Sequence, residues 1–259
     1  MDKFNGVVDK LDGIKIAHRG LFDGVNPENS LGAFKKCIDK GIPIELDVRI
    51  LKDNTIVVFH DKDTGRMTGK NFVLRDSSYD DIKDLKLMNS KYSICKLDEL
   101  LRLVDGKVLI DIEIKNDGNN FKICREVCKY LDKYKGDFII KSFNPLYMLW
   151  FRMNRFNYIR GLLIPKIDDN NIFDSVKYKI IDLIINSDFV CIDYRNISLK
   201  LLNIYKKRGI LILFFTIKER DIEKYNKDIQ YNKVGYIYEE WVYVWLFLSF
   251  YIGYVVKFM

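Results

Sequence analysis

Residues 44–50 read Ile44-Glu45-Leu46-Asp47-Val48-Arg49-Ile50. Alternation along a strand puts Glu45 and Asp47 on one face and Ile44, Leu46 and Val48 on the other. The stretch Leu109-Ile110-Asp111-Ile112-Glu113-Ile114-Lys115 repeats the pattern, with Asp111, Glu113 and Lys115 opposite Ile110, Ile112 and Ile114. Charged groups inside a strand are costly unless they pair or bind a metal. Two strands that each carry carboxylates near the C-terminal end predict a site at the top of a barrel, where barrel enzymes keep their chemistry.

Outward from these two stretches, short apolar strands alternate with helical patterns, which predicts parallel α/β architecture. The first strand is expected at 14–17. Asn26-Pro27-Glu28-Asn29-Ser30 caps a helix from about Leu31 to Lys40, and Gly41 stops it. Thr55 to Phe59 returns as a strand after the turn Lys52-Asp53-Asn54. Residues 61–96 are polar and turn-rich and read as an excursion from the main fold. Helix and strand pairs then follow at 97–104 and 108–114, 120–134 and 138–141, 145–154 and 159–164, 171–186 and 189–193, and 198–208 and 210–216. A last helix is expected at 219–226, before Gly235-Tyr236-Ile237-Tyr238. Seven or eight β/α units with no Pro-rich or Ser-rich linker make a closed (β/α)8 barrel the economical reading.

The chain has 259 residues, a length that one α/β barrel can occupy, and its 48% apolar content suffices for a large core. The net charge of +7 is spread over scattered basic residues, mostly Lys. It reads as a solvated surface compatible with anionic substrates, not as a nucleic-acid footprint. Cys37, Cys95, Cys124, Cys128 and Cys191 are dispersed and odd in number, which argues against a disulfide scaffold and for a reducing compartment. Cys124 and Cys128 share a helix face and read as packing. The N-terminus has no apolar run of the secretory kind, and a cytoplasmic location is expected.

Only two histidines occur, His18 in Ala17-His18-Arg19-Gly20 and His60 in Phe59-His60-Asp61. Histidine is the side chain suited to proton transfer near neutral pH, so two at strand tips form a candidate catalytic pair. Glu45, Asp47 and Glu113 offer three hard oxygen ligands, suited to Mg²⁺ or Ca²⁺ over zinc. Taken singly, Glu45 and Asp47 could instead pair with barrel lysines, the reading also given to Asp111, which lies deeper in its strand.

The segments AHRG (17–20), PENSLGAF (27–34), GIPIELDVRILKDNTIVVFHD (41–61) and LIDIEIK (109–115) closely resemble the glycerophosphodiester phosphodiesterase family. The resemblance runs from about Ile14 to Ile237. It implies a TIM barrel with a small insertion after the second histidine motif, and metal-dependent hydrolysis of glycerophosphodiesters to sn-glycerol 3-phosphate and an alcohol. It further implies Glu45, Asp47 and Glu113 as ligands of a divalent cation, Ca²⁺ or Mg²⁺, and His18 and His60 as the acid/base pair. Arg19 and Lys115 match phosphate-binding positions, and Asn29 would organise the loop near the site. The family pattern also suggests attack by the glycerol 2-hydroxyl, giving a cyclic phosphate that water opens. In the last barrel strand the chain has Phe214-Phe215-Thr216 where the family usually has tryptophan before threonine, which leaves Phe215 as the aromatic wall for the glycerol group.

From Trp241 to Val256 sixteen consecutive residues carry no charge. That run is slightly short of the roughly 17–25 residues of a spanning helix, with Trp241, Tyr243, Tyr251 and Tyr254 towards its ends. The domain reading is therefore a barrel over 1–240, with its insertion at about 61–96, and a hydrophobic segment over 241–259. That segment is expected to contact a membrane, or else to close the domain or self-associate. The competing functions are a lysophospholipase D or sphingomyelinase D-like activity on intact lipid, and a catalytically silent membrane-associated barrel.

Overall fold

A computed structural model describes residues 11–118, 121–165, 172–196, 199–223 and 233–240. Eight parallel strands form the barrel: β1 (Lys15–Ala17), β2 (Ile44–Ile50), β4 (Ile110–Ile114), β5 (Phe138–Ser142), β6 (Arg160–Ile164), β7 (Phe189–Asp193), β8 (Leu211–Lys218) and β9 (Val234–Glu239). The sheet runs β1-β9-β8-β7-β6-β5-β4-β2, and pairing of Ala17 with Ile44 closes it. A ninth strand, β3 (Ile56–Val58), lies antiparallel to β2, with Val48 opposite Val58 and Ile50 opposite Ile56. Its turn uses Asn54 in the left-handed region (φ 73°), and Asp53 Oδ1 accepts from Thr55 N.

The helices that cover the barrel begin with α1 (Leu31–Lys40), capped by Ser30, whose side chain accepts from Ala33 N, and ended by Gly41 at φ 67°. Two short helices, α2 (Gly65–Thr68) and α3 (Tyr79–Ile82), lie in the 61–96 excursion. It has its own small core, in which Met67, Leu74, Ile82 and Ile94 pack on Val57 and Phe59. Then come α4 (Leu97–Val104), α5 (Lys122–Leu131), α6 (Pro145–Asn154), α7 (Ile172–Ile185) and α8 (Leu199–Arg208). Cys124 and Cys128 are buried against the core. Beyond β8, Glu219–Asp221 forms a 3₁₀ turn that passes into helix at 222–223, in line with the helix expected at 219–226; residues 224–226 of that expectation lie outside the described residues.

Strand residues split between two apolar clusters. The larger joins strands to helices, through Leu46, Ile112, Ile140 and Val190 among others. The smaller contains no helix residue and fills the lumen: Leu11, Ile16, Leu109, Ile139, Ile159, Leu163, Phe189, Cys191, Leu211, Leu213 and Ile237. Gly161 makes room for it, since a Cβ there would meet the Phe189 ring at 2.2 Å. This apolar plug is the barrel's floor. Above it, on the same inward side, stand Glu45, Asp47, Asp111, Glu113 and Lys141.

Among the described residues no helix is long and apolar enough to cross a membrane. The expectations for Trp241–Val256 lie outside the described residues.

Candidate active site

Barrel closure brings the two charged strands side by side. Glu45 is in register with Asp111, and Asp47 with Glu113. Oxygens of Glu45, Asp47 and Glu113 lie within 4.8 Å of one another, and all three residues are buried. Lys115 Nζ lies 2.8 Å from Asp47 Oδ1 and 2.5 Å from Glu113 Oε1. One layer lower, Lys141 Nζ lies 2.6 Å from Asp111 Oδ2 and 3.1 Å from Glu45 Oε1. The three carboxylates converge, and each also pairs with a lysine, Glu45 with Lys141 and Asp47 and Glu113 with Lys115, as the alternative reading expected of Glu45 and Asp47.

Burial opposes ionisation throughout this lattice. Glu45 is nevertheless held below the usual carboxylate range by Lys141, and Asp47 well below it by Lys115 and Arg19. Glu113 goes the other way: burial, with Asp47 and Glu45 as like charges, outweighs Lys115 and raises it. Asp111 is pushed up to about 7, burial again being the main cause. A buried carboxylate that its own cations leave under-neutralised fits a set built around an additional cation. Three oxygen donors without sulfur or imidazole suit Mg²⁺ or Ca²⁺.

The loop after β1 holds the first histidine. Arg19 adopts φ 54°, which points its N–H to Glu45 Oε2 (3.1 Å) while its Nε lies 3.3 Å from Asp47 Oδ2. Gly20 follows at φ 80° under α1, where a Cβ would press on Ala33 and Phe34 at 3.0 Å. Asn29 is buried, sits at φ 54°, and donates from Nδ2 to Asp47 Oδ2 at 2.9 Å. His18 Nδ1 lies 2.8 Å from Glu239 Oε1 at the end of β9. That hydrogen bond holds Glu239 below the ordinary glutamate range despite burial.

The hairpin delivers the second histidine. Phe59 N donates to Asp47 O (2.9 Å), which sets the chain beside β2, and Arg49 Nε donates to His60 O (2.8 Å). His60 Nδ1 lies 2.6 Å from Asp61 Oδ1. A carboxylate only accepts, so the ring proton belongs on Nδ1 and Nε2 is left with a lone pair. Burial, with Lys115 and Arg19 nearby, lowers His60 below its ordinary 6.5. At the opposite wall Phe215 is half-buried and meets Phe143 edge-to-face, with ring centres 6.1 Å apart.

The structure therefore gathers His18, His60, Arg19, Lys115, Glu45, Asp47 and Glu113, with Phe215 on β8 at the same end of the barrel. Sequence reasoning had no role for Lys141, Glu239, Glu28, Asp61 or Arg66. The signal for Lys141 was its parity with Ile139, two residues earlier on β5, which faces the lumen.

Solved structures share this fold. A phosphodiesterase from Oleispira antarctica, in complex with the product sn-glycerol-3-phosphate, superposes with a TM-score of 0.77 at 19% identity over 88% of this chain and 94% of that one. A glycerophosphodiester phosphodiesterase from Thermotoga maritima gives 0.69 at 26% identity over 92% and 98%. Residues 18–235 match the glycerophosphoryl diester phosphodiesterase family, and the chain belongs to that family. A glycerophosphodiester phosphodiesterase from Caldanaerobacter subterraneus subsp. tengcongensis is 34% identical over 142 residues, 50% of this chain and 57% of that protein. The uncharacterized protein YqiK of Bacillus subtilis is 35% identical over 141 residues, 49% and 57%. The match thus spans a little over half the length of each of these two relatives.

Proposed function

We propose that this chain hydrolyses glycerophosphodiesters to sn-glycerol 3-phosphate and an alcohol by paired histidine acid–base catalysis. The observation that carries the reading is geometric: two histidines, each bound through Nδ1 to a carboxylate, flank a buried set of three carboxylates and two cationic side chains. A divalent cation held by Glu45, Asp47 and Glu113 would neutralise charge on the nonbridging phosphate oxygens. Arg19 and Lys115 are the chain's own cations for those oxygens.

His60, held neutral by burial, is the base: its Nε2 takes the proton of the glycerol 2-hydroxyl as that oxygen bonds to phosphorus. The bond to the alcohol oxygen breaks, and His18 gives that oxygen its proton. A cyclic phosphate results. In the second half the roles reverse: His18 takes a proton from water as it attacks phosphorus, and His60 returns its proton to the 2-oxygen. Protons and charge balance over the cycle. Phe215 would supply a wall for the glycerol carbons.

A second reading, lysophospholipase D action on intact lipid, draws support from Phe143 and Leu146. These two apolar side chains, 43% and 58% exposed, follow the C-terminal end of β5. One assay tests both readings: product release from glycerophosphocholine and from lysophospholipid vesicles, in EDTA and after Mg²⁺ or Ca²⁺ is restored. Hydrolysis of the soluble diester that needs the cation supports the first reading. Activity indifferent to EDTA removes the carboxylate–cation assignment, and turnover of vesicles alone favours the second.

A further inference from the structure

The two histidine motifs are joined by one side chain from outside the barrel. Arg66 lies in α2, the first turn of the 61–96 excursion, and is 48% exposed. All three of its nitrogens are engaged. Nε lies 2.5 Å from Asp61 Oδ2, while Nη2 and Nη1 donate to Glu28 Oε1 and Oε2 at 2.7 and 3.1 Å. Glu28 Oε1 also accepts from Arg19 Nη1 at 2.8 Å. Asp61 in turn holds His60 Nδ1. The contacts run unbroken from Arg19 through Glu28, Arg66 and Asp61 to His60.

We propose that Arg66 is a positioning residue: its guanidinium locks the carboxylate that orients His60 to the carboxylate that orients Arg19, so that the base and the phosphate-binding cation adopt their working geometry together. This rests on the roles assigned above. The side-chain chemistry is selective. A guanidinium presents a planar fork to Glu28 and a third N–H along its edge to Asp61, whereas an ammonium is a point charge without that fork. Half-exposed ion pairs contribute little to stability, so the effect of this one falls on orientation. Misplacing reacting groups by about an ångström can cost on the order of 100-fold in rate.

The test compares Arg66→Ala, Arg66→Lys and the unaltered chain. Kinetics on glycerophosphocholine are expected to show kcat reduced by about 10- to 100-fold in Arg66→Ala, KM within about twofold and little change in Tm. Millimolar guanidine is expected to restore part of that kcat. Arg66→Lys is expected to fall between the two, and it carries the test if Arg66→Ala does not fold. The second readout needs no activity. With ¹⁵N-histidine the chain gives only two rings, and at about pH 8, above the ordinary histidine range, the His60 ring is expected to carry its proton on Nδ1. Loss of Arg66 is expected to mix the two tautomers. A shifted ring in a chain that hydrolyses no diester would sink the catalytic reading and leave the positioning role standing. Unchanged kcat with an unchanged ring overturns the proposal, as does a loss confined to KM, which would mean that Arg66 touches substrate.

Discussion

Asp111→Asn is expected to stabilise this protein, although it removes one partner of a buried ion pair. Asp111 has no exposed surface, its Oδ1 lacks a hydrogen-bond partner among the described residues, and burial pushes it from 3.8 up to about 7. A carboxyl whose pKa is higher in the folded than in the unfolded chain favours folding fully below the unfolded value. That contribution is lost as pH rises through the folded value. From 3.8 to about 7 the loss is 1.36 kcal/mol per unit, about 4 kcal/mol in all. Asparagine resembles the protonated acid and can still accept from Lys141, so it escapes the loss. The expected gain is about 4 kcal/mol at about pH 8 and under about 2 kcal/mol at about pH 5, with Glu45 remaining as the lysine's counter-ion. Urea denaturation of both proteins across that range, with chelator present to remove cation linkage, measures it. If Asp111→Asn is the less stable protein at about pH 8, or if its advantage does not shrink on acidification, the assignment of Asp111 as a strained carboxylate is wrong.

Four further outcomes follow from named contacts. Because burial keeps His60 below 6.5, activity is expected to persist below the ordinary histidine range and to fail only as His60 protonates. Asp61→Asn removes a contact that raises His60, so the acid limb of the kcat/KM profile moves lower still, while kcat drops by at least about tenfold from loss of the ring's tether. Arg49→Ala strands Asp117, its buried ion-pair partner, and frees the His60 carbonyl; a stability loss of about 3 kcal/mol or more is expected by chemical denaturation. Phe215→Ala removes the edge-to-face partner of Phe143, and initial-rate measurements are expected to show a higher KM, by roughly three- to tenfold, with kcat nearly retained.

The barrel and the carboxylate set were legible because they depend on local pattern. A strand reading Ile-Glu-Leu-Asp-Val declares its two faces wherever it lies, and Ser30 and Gly41 mark the limits of α1 by backbone chemistry alone. What the pattern hides is pairing between strands. Lys141 follows Phe138, Ile139 and Ile140 and reads as the polar end of an apolar strand. Only the register that sets it beside Glu113, and brings Asp111 and Glu45 within reach, makes it an interior cation. Glu239 is 221 residues from His18 and meets it because β9 pairs with β1. Arg66 was hidden for a third reason: it sits in the excursion, where turn residues give little sign of which exposed side chain folds back.

The apolar floor of the barrel has a kinetic consequence. Leu109, Ile139, Phe189 and Leu211 seal the lower end, so among the described residues an ion that Glu45, Asp47 and Glu113 would hold reaches them from the end of the barrel that a diester would also enter. On the function proposed above, a diester seated in that mouth would stand between solvent and the carboxylates, so cation first and diester second is the expected order. In a chain stripped of metal, a large excess of diester added first is expected to slow the return of activity when Mg²⁺ or Ca²⁺ follows; a return rate indifferent to diester would mean a second entrance.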